Sequence, residues 1–261
     1  AYPLLDVMPG GQLWLVVLGG LMLVAFLPWL PPEKPEPAAI VSLGNCNGCT
    51  RCFEDCPFSA ISMVPRSDGR AYDSEAAVNV DNCMSCGLCV GSCPTATPFR
   101  RAGEIVPGIE LPHHPIGRLR SETVAASESF VKGRRVIVFG CEHSGAESFA
   151  DDSTRVITMP CVAMLPPSFV DFVLSRSLAD GVAIAGCADG DCYYRLGGDW
   201  MQQRIDGQRD PYLRRRVDRE RLRFWRLRAG SKRTRQRLRT EFSEALQAMP
   251  KNRSSRKSSD E

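Results

Sequence analysis

Apolar and polar positions divide the 261-residue chain into segments of different period. From Gln12 to Leu30 the chain reads QLWLVVLGGLMLVAFLPWL, nineteen residues without a charge. As a helix rising ~1.5 Å per residue this run reaches ~28 Å, close to a bilayer core. The pattern predicts one transmembrane segment within residues 1–30, with Trp14 and Trp29 near its ends as interfacial aromatics. A signal peptide fits less well, because the only upstream charge is Asp6 and the run leaves through Pro-Trp-Leu-Pro-Pro rather than a small-residue cleavage site. A soluble core helix would carry Gly19, Gly20 and Pro28 at a cost. Residues 31–39, PPEKPEPAA, read as a stiff Pro-rich linker.

The period changes twice more. Residues 40–102 are rich in cysteine, and residues 103–132, with PGIELPHHPIGR, read as a second linker holding one short helix. From Arg134, β-branched runs alternate with helical ones: RRVIVFGC, TRVITMPC, the Pro-started PPSFVDFVLSRSLADG, then GVAIAGC. This order of strand, strand, helix, strand predicts a small parallel-sheet α/β domain over residues 133–230, with a further strand at Arg221–Leu227. Residues 231–261 predict an amphipathic basic helix from Ser231 to Met249 and a disordered tail. The expected fold class is thus mixed: one transmembrane helix, a small α+β cysteine-rich domain and an α/β domain.

Composition narrows the class. Net charge +3, 43% hydrophobic and 24% charged residues exclude a wholly disordered chain, a collagen-like fibre and a polytopic membrane protein. Twelve cysteines are too dilute for a disulfide scaffold and too many for an ordinary enzyme, so their spacing decides. Cys46-Asn-Gly-Cys49-Thr-Arg-Cys52-Phe-Glu-Asp-Cys56-Pro57 and Cys83-Met-Ser-Cys86-Gly-Leu-Cys89-Val-Gly-Ser-Cys93-Pro94 both read C-x2-C-x2-C-x3-C-P. This is the spacing of bacterial two-cluster ferredoxins, in which the fourth cysteine of each run ligates the other cluster. The expected sets are Cys46, Cys49, Cys52 and Cys93 on one 4Fe–4S cluster, and Cys83, Cys86, Cys89 and Cys56 on the second. Gly48 and Gly87 are expected to relieve crowding against inorganic sulfide. A pair of zinc sites is the competing reading, but zinc sites usually use two separate C-x2-4-C knuckles rather than three cysteines in a consecutive run. Resemblance to the dicluster ferredoxin domain covers about Val41 to Arg100.

The other four cysteines, Cys141, Cys161, Cys187 and Cys192, follow the predicted strands VIVF, VITM and VAIA. Parallel strands present their carboxyl ends at one sheet edge, so four sulfurs spread over some fifty residues are expected to converge there. Val136-Ile-Val-Phe-Gly-Cys141, the strand-ending Cys161 and Gly181-Val-Ala-Ile-Ala-Gly-Cys187-Ala-Asp-Gly-Asp-Cys192-Tyr-Tyr resemble the delta subunit of methyl-viologen-reducing hydrogenases over about Arg134–Leu227. That resemblance implies one 2Fe–2S cluster on Cys141, Cys161, Cys187 and Cys192, exchanging electrons with a flavin-containing partner of the heterodisulfide-reductase type. The family's C-x2-C pair is incomplete here, since Cys141 is followed by Glu142-His143-Ser144, and Ala188 and Gly198 replace the usual His and Asn. His143 is a substitute ligand to consider, one that would raise the potential as in Rieske-type centres. Four buried, unliganded cysteines or a structural zinc site are the alternatives.

The apolar segment is weakly similar to the sixth-helix region of cytochrome b proteins, which implies a membrane cytochrome b or quinone module as the other partner. No heme-ligating helix accompanies it. Residues 211–261 hold 17 Lys+Arg against 6 Asp+Glu, a net of +11 that suits anionic lipid or an acidic redox partner. Nucleic-acid binding is not expected, because aromatics are sparse and no binding motif occurs. His113 and His114 sit in a Pro-rich connector and read as linker. No phosphate loop, Ser/His/Asp set or H-E-x-x-H is found. The whole reads as a non-catalytic electron-transfer subunit of an oxidoreductase complex, anchored to the cell inner membrane by a single span with its iron–sulfur domains on the cytoplasmic side. A redox sensor or docking protein, whose second domain binds zinc or a labile cluster, is the rival.

Overall fold

A computed structural model describes residues 11–26, 36–99, 105–228, 230 and 232–252. The chain divides into two compact units, Ala1–Pro35 and Glu36–Glu261. In the first, helix α1 (Gly11–Phe26) follows from its uninterrupted apolar run, and Leu15, Val16, Leu21, Leu23 and Val24 are exposed. Its 16 residues reach ~24 Å at ~1.5 Å per residue, short of the ~30 Å hydrocarbon core. Among the described residues no helix is long and apolar enough to cross a membrane. The expected span ran to Leu30, and residues 27–30 lie outside the described residues.

In the second unit, the cysteine-rich region is built from small pieces. Strand β1 (Ile40–Val41) leads to helix α2 (Arg51–Glu54), hairpin strands β2 (Ile61–Pro65) and β3 (Ser74–Val78), and helix α3 (Leu88–Ser92). β2 and β3 pair antiparallel from Ile61 opposite Val78 to Pro65 opposite Ser74. The expected second linker is structured. Within it, β4 (Ile109–Glu110) pairs with β1, and α4 (Ile116–Glu128) follows, its first amide (Ile116) donating to Glu110 Oε1 at 2.7 Å.

The rest forms a four-stranded parallel sheet of β5 (Val136–Cys141), β6 (Thr154–Met159), β7 (Gly181–Cys187) and β8 (Leu222–Leu227), in the order β6-β5-β7-β8. The central strands VIVFGC and GVAIAGC are buried at every position, while TRVITM and LRFWRL at the edges mix buried and half-exposed positions. Burial on both faces is what an unbroken apolar run dictates. Helix α5 (Ser168–Ser175), opened by Pro166-Pro167, packs Phe169 edge-on against Phe139. Helix α7 (Lys232–Ala248) covers the other face with Phe242 and Leu246, next to Trp225 and Phe149. Helix α6 (Gly197–Asp206), which the sequence pattern does not predict, lies in the long connection from β7 to β8.

One apolar cluster runs from the cysteine-rich region into the sheet. It joins Leu88 and Val90 of α3, Ile109 and Ile116, the turn Val162–Met164, and Phe139, Val182 and Ile184 of the sheet. The two regions therefore share a core rather than sitting on separate ones.

Candidate metal centres

The sheet order reverses between β5 and β7, since the chain runs outward from β5 to β6 and then crosses back to β7. Ligands of open parallel sheets gather outside the carboxyl ends at such a reversal. Cys141 and Cys187 end these two strands, and their Sγ atoms are 3.6 Å apart. Cys192, in the loop after β7, lies within hydrogen-bond reach of both Cys187 and Cys161. The four thiols thus form a connected series, Cys141–Cys187–Cys192–Cys161.

Backbone donors face this group. The amides of Gly197 and Gly198, at the start of α6, point at Cys192, that of Ala163 at Cys161 and that of His143 at Cys141. Hydrogen bonds from the Cys161 and Cys187 thiols, aided by those glycine amides, hold the Cys192 thiol well below the ordinary range. Hydrogen bonding to Cys141 first and Cys192 second pushes Cys187 up, and bonding to Cys192 pushes Cys161 up, because a thiol that donates to a thiolate keeps its proton. Gly197 is the closest wall. A Cβ there would stand 2.0 Å from Cys161 Sγ, so only glycine fits. The His143 ring stacks on Tyr193 with centroids 4.1 Å apart and meets Tyr194 edge-on, so this residue reaches the sulfurs through its backbone amide while its ring packs on tyrosines.

Among the other eight cysteines, Cys52, Cys86 and Cys89 are buried, Cys49 is exposed and the remaining four are half-buried. Burial, reinforced by neighbouring thiols, pushes Cys52 and Cys86 up to about 12 and Cys89 well above its usual value. Such thiols ionise only when a cationic centre compensates the charge, and a bound metal does so by displacing the protons. Backbone amides again point at sulfur: Ala39 N–H to Cys83 Sγ at 3.5 Å and Ala60 N–H to Cys56 Sγ at 3.2 Å. Among the described residues, no three His, Cys, Asp or Glu side chains converge as a single metal ion requires. A cubane cluster spreads its thiolates around a wider cage, so the donor set and its spacing fit the multi-iron groups expected from the sequence.

Gly48 and Gly87 both have positive φ, 67° and 76°. Protein atoms surround them: a Cβ at Gly48 would meet Ser74 O at 2.5 Å, and one at Gly87 the Met164 Cγ at 2.7 Å. These contacts tie Gly48 to β3 and Gly87 to the turn that follows Cys161. Sequence reading also missed Arg204, which is completely buried. Its guanidinium donates to Ala163 O at 2.6 Å and Leu88 O at 3.4 Å, and pairs with Asp55. Arg209 bonds the other Asp55 oxygen, Nε to Oδ1 at 2.9 Å, and lies over the Trp200 ring. An arginine on a predicted loop carried no signal of this role.

Fold and cysteine placement define an iron–sulfur protein. Residues 45–97 match the family described as 4Fe-4S dicluster domain, and residues 136–250 match that of the methyl-viologen-reducing hydrogenase, delta subunit. Among curated proteins, the chain is similar to a vhc iron-sulfur subunit of the F420-non-reducing hydrogenase of Methanococcus voltae, 34% identical over 71 residues. The match covers 25% of this chain and 49% of that relative, so the chain spans about half the relative's length.

Proposed function

We propose that the chain is a non-catalytic electron-transfer subunit holding two 4Fe–4S clusters and one 2Fe–2S cluster. The ligands are Cys46, Cys49, Cys52 and Cys93 for the first, Cys83, Cys86, Cys89 and Cys56 for the second, and Cys141, Cys161, Cys187 and Cys192 for the third. One observation supports the reading: Cys141, Cys187, Cys192 and Cys161 form a connected series faced by backbone N–H donors, beside eight cysteines in two C-x2-C-x2-C-x3-C-P runs. When bound, the clusters supply one-electron carriage. The chain's own residues wrap the cysteines, exclude water from Cys86, Cys89, Cys161 and Cys187, and aim amides at sulfur, the levers that set cluster potential.

The partners on this reading are hydrogenase subunits or a heterodisulfide-reductase-like flavoprotein on one side and a membrane cytochrome b or quinone module on the other. The name of the curated relative supports the first. The uncovered apolar surface of α1 supports attachment at the inner membrane, with the basic carboxyl-terminal region facing anionic lipid on the cytoplasmic side. The test is iron, sulfide and zinc content with low-temperature electron paramagnetic resonance on the anaerobically purified full chain. About ten irons and a binuclear signal beside two cubane signals are expected. Cys187→Ser removes the binuclear species and leaves both cubanes. About eight irons and one zinc would overturn the third site in favour of a structural metal.

A further inference from the structure

Close contacts between the ferredoxin region and the cysteine-bearing end of the sheet gather on segments around the second cubane site. Gly87 and Gly91, which flank Cys89, press on the turn following Cys161. A Cβ at Gly91 would stand 1.9 Å from Ala163 O, and one at Gly87 2.7 Å from Met164 Cγ. Tyr194 lies two residues beyond Cys192 and meets the His143 ring edge-on. A crevice of about 90 Å³ is lined by Tyr194 together with Ser85, Glu142 and Pro160. Arg195 donates to Pro57 O at 3.3 Å and lies over Phe58, just after Cys56.

Arg204 ties these pieces together. It bonds Asp55 before Cys56, Leu88 between Cys86 and Cys89, and Ala163 after Cys161, and it belongs to the helix whose first amides face Cys192. The first cysteine group has the most exposed thiol of the ferredoxin region. Cys49 and Phe53 are exposed, and Arg51 meets the sheet domain in a half-exposed 3.5 Å pair with Asp210, on a loop without cysteine.

We propose that Arg204 fixes a joint across which the Cys56/Cys83/Cys86/Cys89 site exchanges electrons directly with the Cys141/Cys161/Cys187/Cys192 site, leaving the Cys46/Cys49/Cys52/Cys93 site as the outer terminus. This rests on the three-cluster reading of the proposed function. One electron leaves one sulfur-bound site and enters the next; no bond breaks and no proton is needed, and a low-potential one-electron donor such as dithionite loads the chain. Arg204 is a positioning residue, since its bonds run to Asp55, Leu88 and Ala163 rather than to sulfur.

Spin coupling reads the neighbour relation without any activity assay. In the fully reduced full chain, the binuclear signal is split and fast-relaxing through a nearby reduced cubane. Cys86→Ala abolishes that splitting and Cys49→Ala leaves it, whereas the reverse pattern overturns the proposal. Arg204→Gln keeps about ten irons and loses or narrows the splitting. An unchanged splitting in that variant removes Arg204 from the role, and if the variant does not fold the two cysteine variants still decide the order. An unmodified chain with about eight irons and no binuclear signal overturns the cluster assignment itself, and three signals with no splitting overturn the joint alone.

Discussion

Gly197 shows how a single residue conditions the third site. Its amide faces Cys192 and the absent side chain leaves room for Cys161 Sγ, so Gly197→Ala forces the sulfur out of place. Loss of the binuclear signal with both cubane signals intact is expected in the resonance spectrum of that variant. Asp180 acts at the opposite end of the strands. Burial alone would raise its carboxyl, but the Arg135 and Asn252 amides, each 3.0 Å away, and the Arg135 charge outweigh burial and hold it below the usual range. A depressed carboxyl stabilises the fold above its unfolded pKa, near ~4, and that contribution disappears as pH falls through the lower folded value. Asp180→Asn is therefore expected to cost about 2 kcal/mol at pH 7. The gap between the two proteins in urea midpoint should close toward pH 3, and a constant gap would count against the ionised Asp180.

At the scale of elements, the two central strands and α5 were legible because their apolar runs admit only burial, and α7 because its apolar positions recur at helical spacing. Helix α6 was not legible. Its sequence GGDWMQQRID opens on two glycines and carries a weak apolar stripe; what holds it is the Arg204 contact and Met201 packed in the core. The apolar segment 12–30 reads as a span by length alone, yet the described helix ends at Phe26. Helix α7 closes one face of the sheet, where Gly181 leaves space for Phe242 and Leu246. Phe242→Ala should destabilise the sheet domain by ~3–5 kcal/mol, the usual cost of emptying a buried aromatic site. Thermal unfolding followed by Trp225 fluorescence measures it.

For the whole second unit, the shared core has a cooperative consequence. Leu88, Val90, Met164 and Ile184 belong to one cluster, and the Asp55–Arg204 pair is buried inside it. Breaking a buried ion pair by removing one partner costs more than a surface pair contributes, because the remaining charge is left unpaired. The ferredoxin region and the sheet domain are thus expected to unfold together. Bleaching of cluster absorbance and loss of Trp225 packing should coincide on heating, and two separated transitions would show independent domains.

Local chemistry settled what the sequence alone determined: the doubled cysteine spacing and the strands that deliver Cys141, Cys161 and Cys187. Those features depend on residue type and short spacing, which the chain states directly. The tertiary structure decided the rest: the 141–187–192–161 contact series, the glycine amides facing it, and the joint through Arg204. These are contacts between residues as far apart as Asp55 and Arg204, and no local period records which distant segment a buried charge or a missing Cβ will meet.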